Sequence, residues 1–242
     1  MRLLFLFIIL MFTGENYAQE TNVEKNSDEE HEEKEYFSEQ IALVRNDYLK
    51  KAKRAMWKGH NDLAKKLYKK LISEELIGTY MDNFHVSCLN TNNCCINDYS
   101  KPMILITYAS WCVPGKGEIP AINGLAERHK DNIDFIVLFW DDKKSARKAA
   151  RNLNDDIHFV YVDELKQRYT YTIKMLKHSL GFPKIFSVAS DKKILQIKNT
   201  KGLPFYKDLE EAVETNKAFF NTLITDIIKY EDQVIKSVKT AK

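Results

Sequence analysis

A largely apolar run, Met103-Ile-Leu-Ile-Thr-Tyr108, is followed three residues later by Trp111-Cys112-Val113-Pro114-Gly115. Apolar residues then recur at helical spacing, at Ile119, Ile122, Leu125 and Ala126. Such an order reads as a buried strand, a tight turn and a helix that packs back on the strand. It confines the chain to architectures in which a sheet is covered by helices. The expectation is that Cys112 stands at the helix start. Backbone N–H groups and the helix dipole there stabilise a thiolate, which lowers the thiol pKa and raises reactivity.

Read onward, Trp111-Cys112-Val-Pro-Gly-Lys-Gly-Glu118-Ile-Pro120 resembles a motif of the TlpA/ResA-like thiol–disulfide oxidoreductases, a group within the thioredoxin-like superfamily. The family pattern is Trp-Cys, two residues, a second cysteine, a basic residue, and then a glutamate and a proline at alternate positions. Gly115 stands in place of the second cysteine. Later, Gly181-Phe182-Pro183-Lys184-Ile-Phe-Ser-Val188 and Ser190-Asp191-Lys192-Lys193-Ile194 resemble the family's cis-proline strand, tight turn and following strand. Between these motifs the pattern predicts strands over 133–140 and 158–162 and helices over 144–153 and 163–180. The resemblance covers residues 79–215. It implies an α/β, thioredoxin-like fold: a central mixed sheet flanked by helices.

The resemblance also implies roles. Cys112 is the nucleophile. Glu118 is the carboxylate beneath the site, able to accept or return a proton, with a solvent-facing helix glutamate as the alternative. Pro183 is the cis-proline, and the backbone of Phe182 pairs with an extended substrate segment. Trp111 and Pro114 join Phe182 and Pro183 as substrate-contacting residues, Trp111 as a packing and lid residue. With glycine at 115, Cys112 can capture a disulfide but cannot release it through a neighbouring thiolate. Resolution needs an external thiol or a cysteine of the substrate. Internal resolution by Cys94 or Cys95 is disfavoured, because the segment before the strand belongs toward the opposite end of the sheet.

The other three cysteines are Cys88, Cys94 and Cys95. Phe84–Leu89 and Cys94–Asn97 read as short strands around the polar turn Asn90-Thr-Asn-Asn93. A structural disulfide from Cys88 to Cys94 or Cys95 is expected; buried thiols are the alternative. His85, Cys88 and Cys94 lack a standard zinc spacing, so no metal is expected. No cofactor is expected either.

Residues 1–18 read as an export signal, with Arg2 ahead of an apolar run over 3–12 and Ala18 before Gln19. A run of that length is about half of what a bilayer span needs. Export, to a periplasm or another extracytoplasmic space, permits disulfides. Residues 19–35 carry eight acids against Lys25 and Lys34 and lack apolar periodicity, as a solvated linker does. Residues 36–77 read as a helical hairpin, with Ile41, Val44, Tyr48, Ala52 and Ala55 on one face and Leu63, Leu67, Leu71 and Ile72 on another. The hairpin resembles a single tetratricopeptide unit, which cannot bury its own apolar face. It is expected to pack on the following domain (78–215) or on a partner. A long C-terminal helix extends beyond that domain over 216–242, its stripe including Phe219, Phe220, Leu223, Ile224, Ile227 and Ile228.

The net charge of +3 gives no argument for nucleic acid as a partner. The reading is an exported protein that takes part in thiol–disulfide exchange through one cysteine, acting on cysteine-containing exported proteins or with an external thiol donor, and free of the membrane after signal cleavage. A non-catalytic peptide-binding module that uses the cis-proline groove is the alternative. A thiol peroxidase is weaker, because Ala109 stands where the peroxiredoxin pattern has threonine.

Overall fold

A computed structural model describes residues 34–91, 95–163, 165–166, 170–200 and 202–240. The export segment, residues 19–33 of the acidic stretch, and Cys94 lie outside these.

The run 103–108 forms β2 (Met103–Tyr108), buried along its whole length. It is central in a six-stranded sheet of order β1-β4-β3-β2-β5-β6. The strands are β1 (Ser87–Cys88), β3 (Asp134–Phe139), β4 (Ile157–Tyr161), β5 (Lys184–Val188) and β6 (Ile194–Lys198). β2, β3 and β4 are parallel, while β1, β5 and β6 pair antiparallel with their neighbours. Central strands read as unbroken apolar runs because both of their faces are covered. Ile104, Ile106 and Tyr108 face one layer, and Met103 and Leu105 the other, as strand periodicity requires. This mixed sheet, with a cis Phe182–Pro183 bond leading into β5, is a thioredoxin-like fold.

On the first face lie α3 (Glu118–His129), α4 (Lys143–Ala149) and α6 (Leu209–Thr240). Ile122 and Leu125, Ala146, and Phe220, Leu223, Ile224 and Ile227 are their buried contributions. On the opposite face lie α1 (Phe37–Trp57), α2 (Asn61–Lys70) and α5 (Thr170–His178), with α2 continuing into a π-helical turn, Leu71–Leu76. Gly59, at φ +74°, reverses the chain between α1 and α2, a conformation that costs other residues more.

The helical hairpin packs on the sheet. Phe37, Ile41, Leu71, Ile72 and Leu76 share one core with Phe186, Val188 and Ile194. The Phe37 ring meets Phe186 edge-on at 5.8 Å. Ser38 donates its N–H (2.9 Å) and hydroxyl (2.6 Å) to Asp82. α6 runs unbroken through position 216. Late in the helix, Glu231 accepts the Ser190 N–H and hydroxyl, both at 2.7 Å, and the Tyr230 hydroxyl donates to Asp191.

The expected hairpin around 90–93 takes another form. Ser87 and Cys88 pair with Tyr161 and Val160 of β4, so this strand joins the edge of the main sheet. The second predicted strand is instead a 3-10 turn over Ile96–Asp98, with the Asp98 carboxylate accepting the Cys95 N–H at 2.8 Å. A single bridge sets His85, not Cys88, opposite Cys95. Cys95 Sγ lies 3.7 Å from His85 Nδ1. The other expected partner of Cys88, Cys94, is outside the described residues.

Candidate active site

β2 ends at Tyr108, and the chain turns so that the Cys112 N–H reaches the Ala109 carbonyl at 2.8 Å. Cys112 is half-buried against the α3/α6 layer. Its sulfur accepts the Ala109 N–H at 3.4 Å. Ser110, two residues earlier, is held by Asp141, two residues beyond β3, which accepts its N–H and its hydroxyl, both at 2.6 Å.

Cys112 is not at a helix start. Residues 112–115 carry no regular secondary structure, 116–117 form a turn, and α3 begins at Glu118. Gly117, at φ +73°, takes the left-handed conformation and blocks any extension of the helix back toward the cysteine. Pro120 fits inside α3 because first-turn N–H groups have no helical partner. The macrodipole acts only over the first turn and so gives the sulfur little help. Burial instead pushes the Cys112 thiol up; the Ala109 N–H opposes this, while Asp141 and Glu118 raise the thiol further. The expected depression of this thiol is thereby corrected.

Glu118 is buried, and both of its oxygens are engaged. One accepts the Tyr108 hydroxyl; the other accepts the Gly115 N–H at 2.8 Å. Burial raises its pKa, and the two hydrogen bonds work against that rise. Tyr108 is pushed up as well, by burial first and then by Glu118. The carboxylate thus ties the end of β2 to the turn that follows the cysteine. The solvent-facing alternative for Glu118 does not hold.

Gly115 has a steric cause. A Cβ there would lie 2.6 Å from the Leu203 nitrogen and 3.0 Å from two backbone atoms of Gly202. The Lys116 N–H donates to the Leu203 carbonyl at 2.9 Å, and Lys116 Nζ donates to the Phe205 carbonyl at 2.9 Å. Asn216 of α6, buried, donates to the Lys116 carbonyl at 3.0 Å. A Cβ on Gly117 would meet the Val213 nitrogen at 2.5 Å. Backbone therefore roofs residues 115–117, and a side chain at position 115 would collide with it.

The remaining predicted contacts line the same rim. Trp111 is 70% exposed, and its ring meets Phe182 edge-on at 6.0 Å. Phe182 also contacts Trp140 at 6.5 Å. This stacking sets the cis Phe182–Pro183 bond beside the cysteine turn. Among the described residues, neither the N–H nor the C=O of Phe182 has a hydrogen-bond partner. Pro114 is half-buried and Val113 is exposed. Phe205 and Tyr206, which sequence reasoning left out, stand exposed on the segment that Lys116 holds.

Cys88 is displaced across the sheet, not along it. Cys88 pairs with Val160, in register with Leu138 and Thr107. Three interstrand steps amount to roughly 14 Å, whereas a disulfide requires Cα atoms within about 7 Å. This corrects the expectation that the segment sits at the opposite end of the sheet. Among the described residues no group of three or more His, Cys, Asp or Glu could hold a metal ion, and no helix is long and apolar enough to cross a membrane.

No protein-family model matches the chain, and no curated protein does. Solved structures do. The thioredoxin domain of a thiol-disulfide oxidoreductase from Bacteroides vulgatus is 16% identical at a TM-score of 0.45, over 59% of this chain and 96% of that one. A thio-disulfide isomerase from Thermus thermophilus is 17% identical at 0.44, over 62% and 96%. A thiol:disulfide interchange protein from Bacteroides sp. is 18% identical at 0.43, over 60% and 90%.

Proposed function

We propose that the chain is an exported thioredoxin-like protein of the TlpA/ResA type that takes part in thiol–disulfide exchange through Cys112 alone. The observation that carries this is the half-buried Cys112 sulfur beside the cis-proline rim, with the unpartnered Phe182 backbone next to it. An extended peptide can pair with that backbone strand-fashion, and the exposed Trp111 ring offers it an apolar wall.

The step is a substitution at sulfur. The Cys112 thiolate attacks one sulfur of a substrate disulfide, a new S–S bond forms, and the departing thiolate takes the bonding electron pair and then a proton. An external thiol or a second substrate cysteine attacks the mixed disulfide in turn and frees Cys112. A raised thiol pKa leaves less thiolate at neutral pH but makes each thiolate more nucleophilic. Glu118 acts as a positioning residue: its charge favours the protonated sulfur, and its hydrogen bonds hold the turn. The N-terminal segment supports export, and its removal would leave the chain in a compartment where disulfides persist.

The second reading, a non-catalytic peptide-binding module, is favoured by the burial that holds the thiol protonated. One experiment separates the two. Intact protein is mixed with a peptide whose cysteine carries a 2-thiopyridyl group, and adducts are mapped by mass spectrometry. Exchange predicts a Cys112 adduct that forms faster than with a free cysteine at the same pH and is cleared by an external thiol. If Cys112 is slower than the free thiol while Cys112→Ser still binds the S-methylated peptide, the binding module is the correct reading.

A further inference from the structure

α4 begins at the rim of the site. Asp141, which clamps Ser110, is followed by Asp142, whose carboxylate caps α4 by accepting the Lys144 and Ser145 N–H groups and the Ser145 hydroxyl. From there Lys143, Lys144, Arg147, Lys148 and Arg151 recur at one-turn spacing along α4 and the short 3-10 turn after it. These five side chains alone line a surface recess of about 490 Å³. Among the described residues none of the five forms an ion pair, although six lysines elsewhere pair with an acid three or four positions away in sequence. Asp142, the acid nearest in sequence, is committed to the cap.

We infer that this recess binds an acidic polypeptide segment flanking the cysteine of the substrate that Cys112 engages. The inference rests on the exchange reading for its second half, the link to Cys112. Charge complementarity names the chemistry: five unpaired cations over nine positions, about 12 Å of helix rise, match roughly four residues of extended chain. Position selects the class of partner. The recess starts two residues after Asp141, the residue that holds Ser110 in the turn leading to Cys112. Opposite charge on partner and groove speeds association, in a salt-dependent way.

Two peptides carrying the same 2-thiopyridyl cysteine test this, one followed by four glutamates and the other by four glutamines. Attack by Cys112 forms the mixed disulfide and expels pyridine-2-thione, whose absorbance reports the rate. The acidic peptide should react about tenfold faster at low salt, with the preference lost near 0.5 M salt, where screening is nearly complete beyond about 4 Å. The preference should also vanish when all five residues are changed to glutamine, while the glutamine peptide reacts alike with both proteins. Equal rates for the two peptides with the unmodified protein overturn the inference. Binding of the S-methylated acidic peptide to Cys112→Ser, followed by fluorescence anisotropy, keeps the two proposals apart. If the acidic peptide binds there and neither activated peptide reacts, the recess stands and the exchange reading fails. Tight binding to phosphatidylglycerol vesicles without peptide preference assigns the recess to a membrane surface and overturns the inference.

Discussion

Placing a side chain at position 115 should destabilise the fold and should not restore a dithiol site. In Gly115→Ala the new Cβ would sit 2.6 Å from the Leu203 nitrogen, where ordinary contact begins near 3.4 Å. The obstacle is backbone and cannot rotate away, so the 202–203 segment must retreat by most of an ångström. That retreat strains or breaks the bond from the Lys116 N–H to the Leu203 carbonyl, worth about 1 kcal/mol. Overpacking adds about 1–3 kcal/mol. Together these predict a loss of roughly 2–4 kcal/mol, or roughly 4–16 °C in melting temperature for a chain of this size. Gly124→Ala is the matched control. It lies inside α3 with open space around its Cβ position and should gain about 0.5–1 kcal/mol from helix propensity. Thermal unfolding followed by circular dichroism, with peptide mapping of Gly115→Cys under non-reducing conditions, reads the outcome. If Gly115→Ala melts at or above the unmodified protein, or Gly115→Cys pairs with Cys112 at no cost in stability, the steric account of this glycine is wrong.

Alkylation of Cys112 as a function of pH should show a midpoint above the usual thiol value of about 8.5. Glu118→Gln should lower that midpoint by removing a nearby negative charge, yet keep the turn, since an amide can accept the Gly115 N–H and donate to the Tyr108 oxygen. Glu118→Ala loses both bonds and should cost about 1–3 kcal/mol in urea unfolding. Lys184, buried with its ammonium over the Tyr68 ring at 5.2 Å and donating to Asn199, is lowered to about 8 by desolvation. The folded chain there binds fewer protons than the unfolded chain, so stability should rise with pH from about 8 to about 10.4; Lys184→Met should flatten that rise in urea midpoints compared at about pH 7 and about pH 10. Asn216→Ala should unseat Lys116 from α6, leaving a carbonyl short of a partner, at a cost of about 1–3 kcal/mol.

The sheet was legible in sequence because its central strands carry unbroken apolar runs, and the cis-proline because Gly-Phe-Pro precedes one of them. The helical hairpin was legible from its stripe, and Ile41, Ala52, Ala55, Leu71 and Ile72 are indeed buried. Leu63 belongs to the same pattern yet stands 47% exposed, since periodicity names a face but not how far the neighbouring layer extends. The cysteine's surroundings depart from the helix-start motif they resemble because Gly115-Lys116-Gly117 is itself a helix-breaking signal, and α3 begins only after it. The contact that explains Gly115 comes from residues nearly ninety positions later, and no local pattern reports that.

α6 is fastened at two distant points, by Asn216 to the cysteine turn and by Glu231 to the turn between β5 and β6. Fifteen residues, about 22 Å of rigid helix, separate these anchors. Each added residue would rotate one anchor about 100° against the other, so the helix works as a gauge block whose length is set to the unit. A one-residue insertion anywhere between the anchors, even on the solvent side, would have to release one end. The end with the looser hold decides whether the damage reaches the sulfur.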